Sequence, residues 1–182
     1  MQMEDESVIT ILNVTAEIAK LKMLQGRTPT TAAAERQGAF AKLAEYRDGG
    51  IFTAKFAGRG PWERHQTGDE LVQIVDGATT MHLMTADGPQ TLALTAGMIV
   101  IVPQGVWHHF DAPDGVTLLT ATPQPTEHLE VEIADPRTIG GLRRRGEARH
   151  HRVTNPRSER ADADDPAGDP WGRGSPPPLR RR

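Results

Sequence analysis

The sequence predicts an all-β protein, a sandwich or barrel of short strands with one amphipathic helix before it and a disordered tail after it. Three observations carry this expectation. From Phe40 onward apolar and polar residues alternate, as they do on strands that bury one face. Short runs of this kind (PWERH, ELVQIV, TTMHLM, QTLALT, MIVIV, VWHHF and VTLLTAT) recur between Gly, Asp and Pro clusters, the punctuation of an antiparallel sandwich or barrel. After about Ile133 the alternation stops and Arg, Asp, Pro and Gly take over, a composition that buries too little apolar surface to offset the entropy of ordering.

The elements follow in chain order. Residues 13–25, NVTAEIAKLKMLQ, set Val14, Ile18, Leu21 and then Met23 or Leu24 at helical spacing, with Asn13 or Thr15 as cap and Gly26 as terminator. TPTTAAAERQG carries no periodic signal and reads as a connection. FAKLAEYR and IFTAKFAG flank Asp48-Gly49-Gly50, a cluster that joins antiparallel strands because glycine accepts positive φ. Phe52, Ala54 and Phe56 then share one face, with Thr53 and Lys55 on the other. Further turns are expected at Gly68-Asp69, Asp76-Gly77, Asp87-Gly88, Ala96-Gly97, Pro103-Gln104-Gly105 and Pro113-Asp114-Gly115. The expected division is helix and connection over 1–38, barrel over 39–132 and tail over 133–182.

Composition narrows the chemistry. A chain of 182 residues carries one core of ordinary size. Cysteine is absent, which excludes disulfides, thiolate catalysis and thiolate metal sites, so any metal must be held by His, Asp or Glu. The net charge of −3 averages two unlike parts: residues 1–134 hold 9 Lys and Arg against 17 Asp and Glu, whereas 135–182 hold 12 against 7. An acidic body does not grip a nucleic-acid backbone. The Arg clusters of the tail, which has no lysine, read as a solvated segment, and His150-His151 within it are not read as ligands. No apolar run approaches the roughly 20 residues that cross a bilayer, and MQMEDES is acidic where a secretory signal is basic. A cytoplasmic protein without membrane contact is expected.

Two stretches concentrate the chemistry. In WERHQTGDELVQIVDG, alternation puts Glu63 and His65 on one face of a strand and Glu70, Val72 and Ile74 on one face of the next, and QTGD lets the two strands lie side by side. In GMIVIVPQGVWHHF, the turn at Pro103 and Gly105 leads to His108 and Phe110 on one face, with Trp107 and His109 on the other. Glu63, His65, Glu70 and His108 can therefore converge inside a small barrel. His109 reads as a surface or interface residue, His82 as structural, and Trp62 and Trp107 as packing. Asp111 lies off the inward face. Gly58-Arg59-Gly60 lacks the strand-to-helix setting of a phosphate loop.

These two stretches resemble the two motifs of the cupin family. His65, Glu70 and Gly77 match the first, except that Glu63 stands where its first histidine would be. Gly97, Pro103, Gly105 and His108 match the second, with Ala112 in place of the asparagine that often follows, and residues 78–96 separate the two. The resemblance covers about 39–125. It implies a cupin double-stranded β-helix, or jelly-roll, barrel that holds one divalent metal and is often a homodimer.

Two imidazoles and a carboxylate on one face leave coordination positions open, and a second carboxylate from Glu63 makes the site formally neutral with a divalent ion: iron, manganese, nickel or zinc. Val72 and Phe110 are expected to line a pocket for a small, partly apolar molecule whose oxygen reaches the metal. The functions expected are a metal-dependent oxygenase or isomerase or, alternatively, a non-catalytic ligand-binding or regulatory barrel with or without metal. In the metal-free version Glu70 pairs with His65 or Arg64 and satisfies itself. No further general acid or base is readable, and the catalytic residues are not assigned.

Overall fold

The computed structural model describes residues 9–139. Among these, one short helix, α1 (Val14–Ala19), precedes nine strands: β1 (Leu24–Arg27), β2 (Phe40–Tyr46), β3 (Gly49–Arg59), β4 (Trp62–His65), β5 (Glu70–Thr85), β6 (Gly88–Thr95), β7 (Ile99–Val102), β8 (Trp107–Pro123) and β9 (Thr126–Leu129). All nine belong to one hydrogen-bonded sheet; the architecture is all-β, as the alternation predicted, in the jelly-roll form that the resemblance implied.

The hairpin β2–β3 forms as expected, closing at Tyr46↔Gly49. Two of the expected turns are something else. Asp76-Gly77 lies inside β5, and Pro113-Asp114-Gly115 lies inside β8. β8 is the spine of the sheet, and β5 follows it antiparallel along its length, with Leu71↔Ala121 near one end and Met84↔Trp107 at the other. Neither strand reverses; each bulges, with register shifts between Ile74 and Asp76 and between Gly77 and Thr80. At the bend Gly77 has φ +76, and a Cβ there would strike the carbonyl oxygen of Gly115. The glycines mark a close crossing of two bent strands, a use that sequence alone does not separate from a turn.

β4 and β5 were expected to lie side by side. Instead β8 stands between them, bonded to β4 at Glu63↔His108 and to β5 at Leu83↔His108. The other edge of β4 carries β9, and the far side of β3 carries β2 and β1. Inward positions alternate along β5, where Glu70, Val72 and Ile74 are buried while Leu71 and Gln73 are half-buried. The core they enter includes Phe56, Met81, Val102, Phe110 and Leu118.

The N-terminal segment departs from expectation too. Asn13 caps α1, its Oδ1 accepting from the Ala16 N–H at 3.0 Å, but the helix stops at Ala19 and buries none of its residues. Leu24 leaves as a strand parallel to β3, opposite Phe56, and packs against the core. Gly26, expected to end a helix, lies within β1 at φ +64. A sheet edge that partly buries Leu24 outweighs helical spacing, which is only a weak local preference.

Of the segment expected as tail, residues 133–139 are described and lie on the barrel. Trp62 Nε1 donates to Ile133 O at 2.9 Å, Pro136 is buried, and Arg137 Nη1 donates to Thr85 O at 3.3 Å. The rest of the expected tail, with His150-His151, and residues 1–8 lie outside the described residues. Among the described residues no helix is long and apolar enough to cross a membrane.

Candidate metal centre

His65 closes β4, Glu70 opens β5 and His108 sits near the start of β8. Their convergence is enforced by backbone. The Gly105 N–H donates to His65 O at 2.8 Å, and the Gln104 N–H donates to Asp69 Oδ1 at 2.8 Å. The turn of the second stretch is thereby locked onto the turn of the first. Gly105 permits this by adopting φ +77.

Ligand atoms of His65, Glu70 and His108 all lie within 4.8 Å of one another, and all three residues are buried. Glu70 Oε2 is 3.1 Å from His108 Nε2 and 3.3 Å from His65 Nε2. Donors about 2.1 Å from a common cation stand roughly 3.0–3.4 Å apart in octahedral or tetrahedral geometry, so these separations have the size of the edges of a coordination polyhedron. Protonation points the same way. His108 Nδ1 faces the carbonyl of Val106 at 3.1 Å, which can only accept, so Nδ1 carries the hydrogen and Nε2 of the neutral ring presents a lone pair to a carboxylate. A proton or a metal ion must stand between them. His65 Nε2 is buried without a hydrogen-bond partner, while its Nδ1 meets Thr126 Oγ1 at 3.1 Å. An orphaned ring nitrogen aimed at a carboxylate oxygen fits a metal ligand better than a self-satisfied network.

The surroundings hold these groups in place. Thr122 Oγ1 donates to Glu70 Oε1 at 2.6 Å and is itself paired with Thr120 Oγ1 at 2.6 Å. Burial alone would raise the Glu70 pKa, but the His108 hydrogen bond and the nearby His65 ring prevail and hold it at about 2. Burial opposes charge on His108, yet the bond to Glu70 and the charges of Glu70 and Glu63 raise its pKa.

Glu63 stands at the edge of the trio. Its Oε1 is 3.6 Å from His108 Nε2 and its Oε2 is 3.1 Å from His128 Nε2. Burial pushes its carboxyl up; the His128 hydrogen bond and the His108 charge bring it below its ordinary value. A cavity of about 320 Å³ opens over the group, lined by Glu63, His65 and Glu70 and by all four phenylalanines of the chain, Phe40, Phe52, Phe56 and Phe110. Phe110 thus lines it, whereas Val72 is fully buried in the apolar core behind the wall.

His109 is a correction. It is 3% exposed, wedged between the Trp62 ring at 4.3 Å and the His82 ring at 4.6 Å. Its strand face is outward from the barrel, but Trp62 and His82 cover that face. Burial, then Arg59 and His82, push its pKa down to about 4. Sequence reasoning also missed Thr122, Thr126, His128 and Arg27. Thr122 was readable, since it continues the inward parity of Leu118 and Thr120. Thr126 and His128 lie on β9, whose four residues lack apolar alternation, and nothing local marked Arg27.

Residues 51–121 match the model of the cupin domain. The matched barrel segment is a cupin domain. Among solved structures it is similar to a cupin-2 domain protein from Shewanella frigidimarina, at 20% identity over 65% of this chain and 95% of that one, with a TM-score of 0.44. A Neisseria meningitidis protein matches at 19% identity over 66% of this chain and 100% of that one, TM-score 0.45. Hydroquinone 1,2-dioxygenase from Sphingomonas sp. TTNP3, solved with 4-hydroxybenzoate bound, matches at 18% identity over 47% of this chain, TM-score 0.42. The chain spans 65% of that dioxygenase, just under two thirds. No curated protein matches the sequence.

Proposed function

We propose that this cupin holds one divalent ion of the iron, manganese, nickel or zinc group on His65, Glu70 and His108, with Glu63 as a fourth ligand through its carboxylate, and acts as an oxygenase or isomerase on a small, partly apolar molecule. The orphaned, buried Nε2 of His65 facing the Glu70 carboxylate carries this reading. Bound there, the ion supplies a Lewis-acid centre for an oxygen of the substrate or for dioxygen. The chain's own residues do the rest. The Val106 carbonyl fixes the His108 tautomer, Thr126 fixes the His65 ring and Thr122 orients Glu70, outer partners of the kind that set ligand basicity. Glu63, tied to the exposed His128, can swing between that partner and the centre. The phenylalanine walls exclude water and hold the apolar part of the substrate.

A second reading is supported by the low pKa of Glu70. A Glu70 carboxylate paired with a protonated His108 is self-sufficient, which suits a non-catalytic, ligand-binding or regulatory barrel. The full chain loaded in turn with each of the four metals, screened against small oxygen-bearing metabolites for dioxygen consumption and isomerisation, separates the two. Turnover lost in a His65→Ala, His108→Ala variant supports the enzyme; ligand binding without turnover under any metal supports the alternative. A homodimer belongs to the same proposal, supported by Met98, Ile99 and Ile101, which expose 46%, 57% and 52% of their surface on and beside β7. A cytoplasmic location is proposed on composition alone.

A further inference from the structure

The cavity contains a charged group that the metal reading leaves unused. Arg27, the last residue of β1, is 7% exposed. Among the described residues no carboxylate lies within 4.0 Å of its guanidinium, and its Nε has no hydrogen-bond partner. It lines the same cavity as His65 and Glu70. Its Cζ lies 4.3 Å from the Phe56 ring centroid and 4.9 Å from that of Phe40, two rings stacked at 5.9 Å. Arg36, half-buried, lines the cavity as well, so a second arginine adds positive charge. Burial lowers the Arg27 pKa to about 10, with Glu63 opposing and Arg36 assisting. The group remains a cation at neutral pH.

The sheet gives up side chains to seat it. Arg27 pairs with Gly58, where φ is +110 and a Cβ would collide with the Arg27 backbone. At Gly60 a Cβ would stand 3.1 Å from Arg27 Cζ and Nη1. Gly58-Arg59-Gly60, which makes no phosphate loop, is the place where the barrel accepts a buried guanidinium. Two ring faces offset part of the cost of burying that charge, but a planar fork of N–H donors stays unmatched.

We infer that the cavity selects a small monocarboxylate with a ring-sized apolar body, its carboxylate on Arg27 and its body between Phe40, Phe52, Phe56 and Phe110. This rests on the cavity being the ligand site proposed above, and not on a metal being bound. The direction of the ligand follows from charge. Glu63 and Glu70, which line the same cavity, repel a carboxylate, whereas Arg27 and Arg36 attract it, so the anionic end turns to Arg27 and the uncharged end away from it.

Calorimetric titration of the full chain, metal-loaded and metal-free, with benzoate, phenylacetate and 3-phenylpropionate and with their three amides tests this. At least one acid binds about tenfold or more tightly than its amide. Arg27→Met weakens that acid about 10- to 100-fold, the range of a lost charge-assisted hydrogen bond, and leaves the amide unchanged, while Arg27→Lys restores part of the preference. Wild-type protein in which no acid is preferred over its amide overturns the inference and needs no variant. A folded Arg27→Met protein that keeps the preference overturns it as well. The preference in wild-type protein that takes up no metal leaves the inference standing and removes the metal reading; metal-loaded protein without the preference does the reverse.

Discussion

Glu70→Gln changes one atom at the point where the metal-bound and self-satisfied barrels differ. In the metal-free protein the substituted amide can still accept from Thr122 Oγ1, at 2.6 Å, and can donate from its nitrogen to His108 Nε2, at 3.1 Å. The neutral pair replaces an ion pair, so folding stability without metal should change by no more than about 1 kcal/mol. The metal-bound protein loses its anionic donor. A metal at about 1,000 times its Kd stabilises the wild type by roughly 4 kcal/mol, and at about 2–4 °C per kcal/mol for a chain of this size that is a rise of roughly 8–16 °C. The variant should show almost none of it. Differential scanning calorimetry of both proteins, with and without iron, manganese, nickel or zinc, reads the four states. A metal-free Glu70→Gln protein destabilised by about 3–5 kcal/mol, beside a wild type whose melting temperature no metal moves, would refute the reasoning and identify Glu70 as half of a structural ion pair.

Other consequences are independent of that test. Gly77→Ala should cost about 2–4 kcal/mol in urea unfolding, because positive φ and a collision with Gly115 act together, whereas Gly88→Ala, at φ +117 with no atom within 4 Å, should cost only about 1 kcal/mol. Trp62→Phe removes the bond to Ile133 O and should cost about 1 kcal/mol and speed amide exchange over residues 133–139. His109, with a folded pKa of about 4 against an ordinary 6.5, stays neutral in the barrel while the unfolded chain protonates. Its contribution is intact above about pH 6.5 and is lost as pH falls toward 4, by about 1–2 kcal/mol after allowance for screening; His109→Asn should flatten that part of the pH–stability curve. Because the His108 pKa is raised in the free protein, metal affinity should fall as pH drops, by up to about tenfold per unit for each proton displaced.

The sequence carried the inward face of the barrel and the convergence of His65, Glu70 and His108, and the reason is local. Glu70, Val72 and Ile74 alternate within one strand, and His108 follows its turn by three positions, so pleat and turn chemistry orient them without knowledge of neighbours. What it did not carry was set by distant partners. Whether Asp76-Gly77 reverses the chain or bends it depends on β8 lying alongside. Leu24 becomes a strand because β3 offers an edge. His109 is buried by Trp62 and His82, though its strand parity is outward. Arg27 and His128 enter the cavity from strands of four residues each, too short to show a period.

The central claim is that His65, Glu70 and His108 together bind a cation, and native mass spectrometry of the untagged full chain, as purified and after adding each of the four metals, tests it most directly. One tightly held ion per chain, absent from the His65→Ala, His108→Ala protein, is the predicted result. A wild-type chain that takes up none of the four, or an ion that persists after both histidines are replaced, would contradict it.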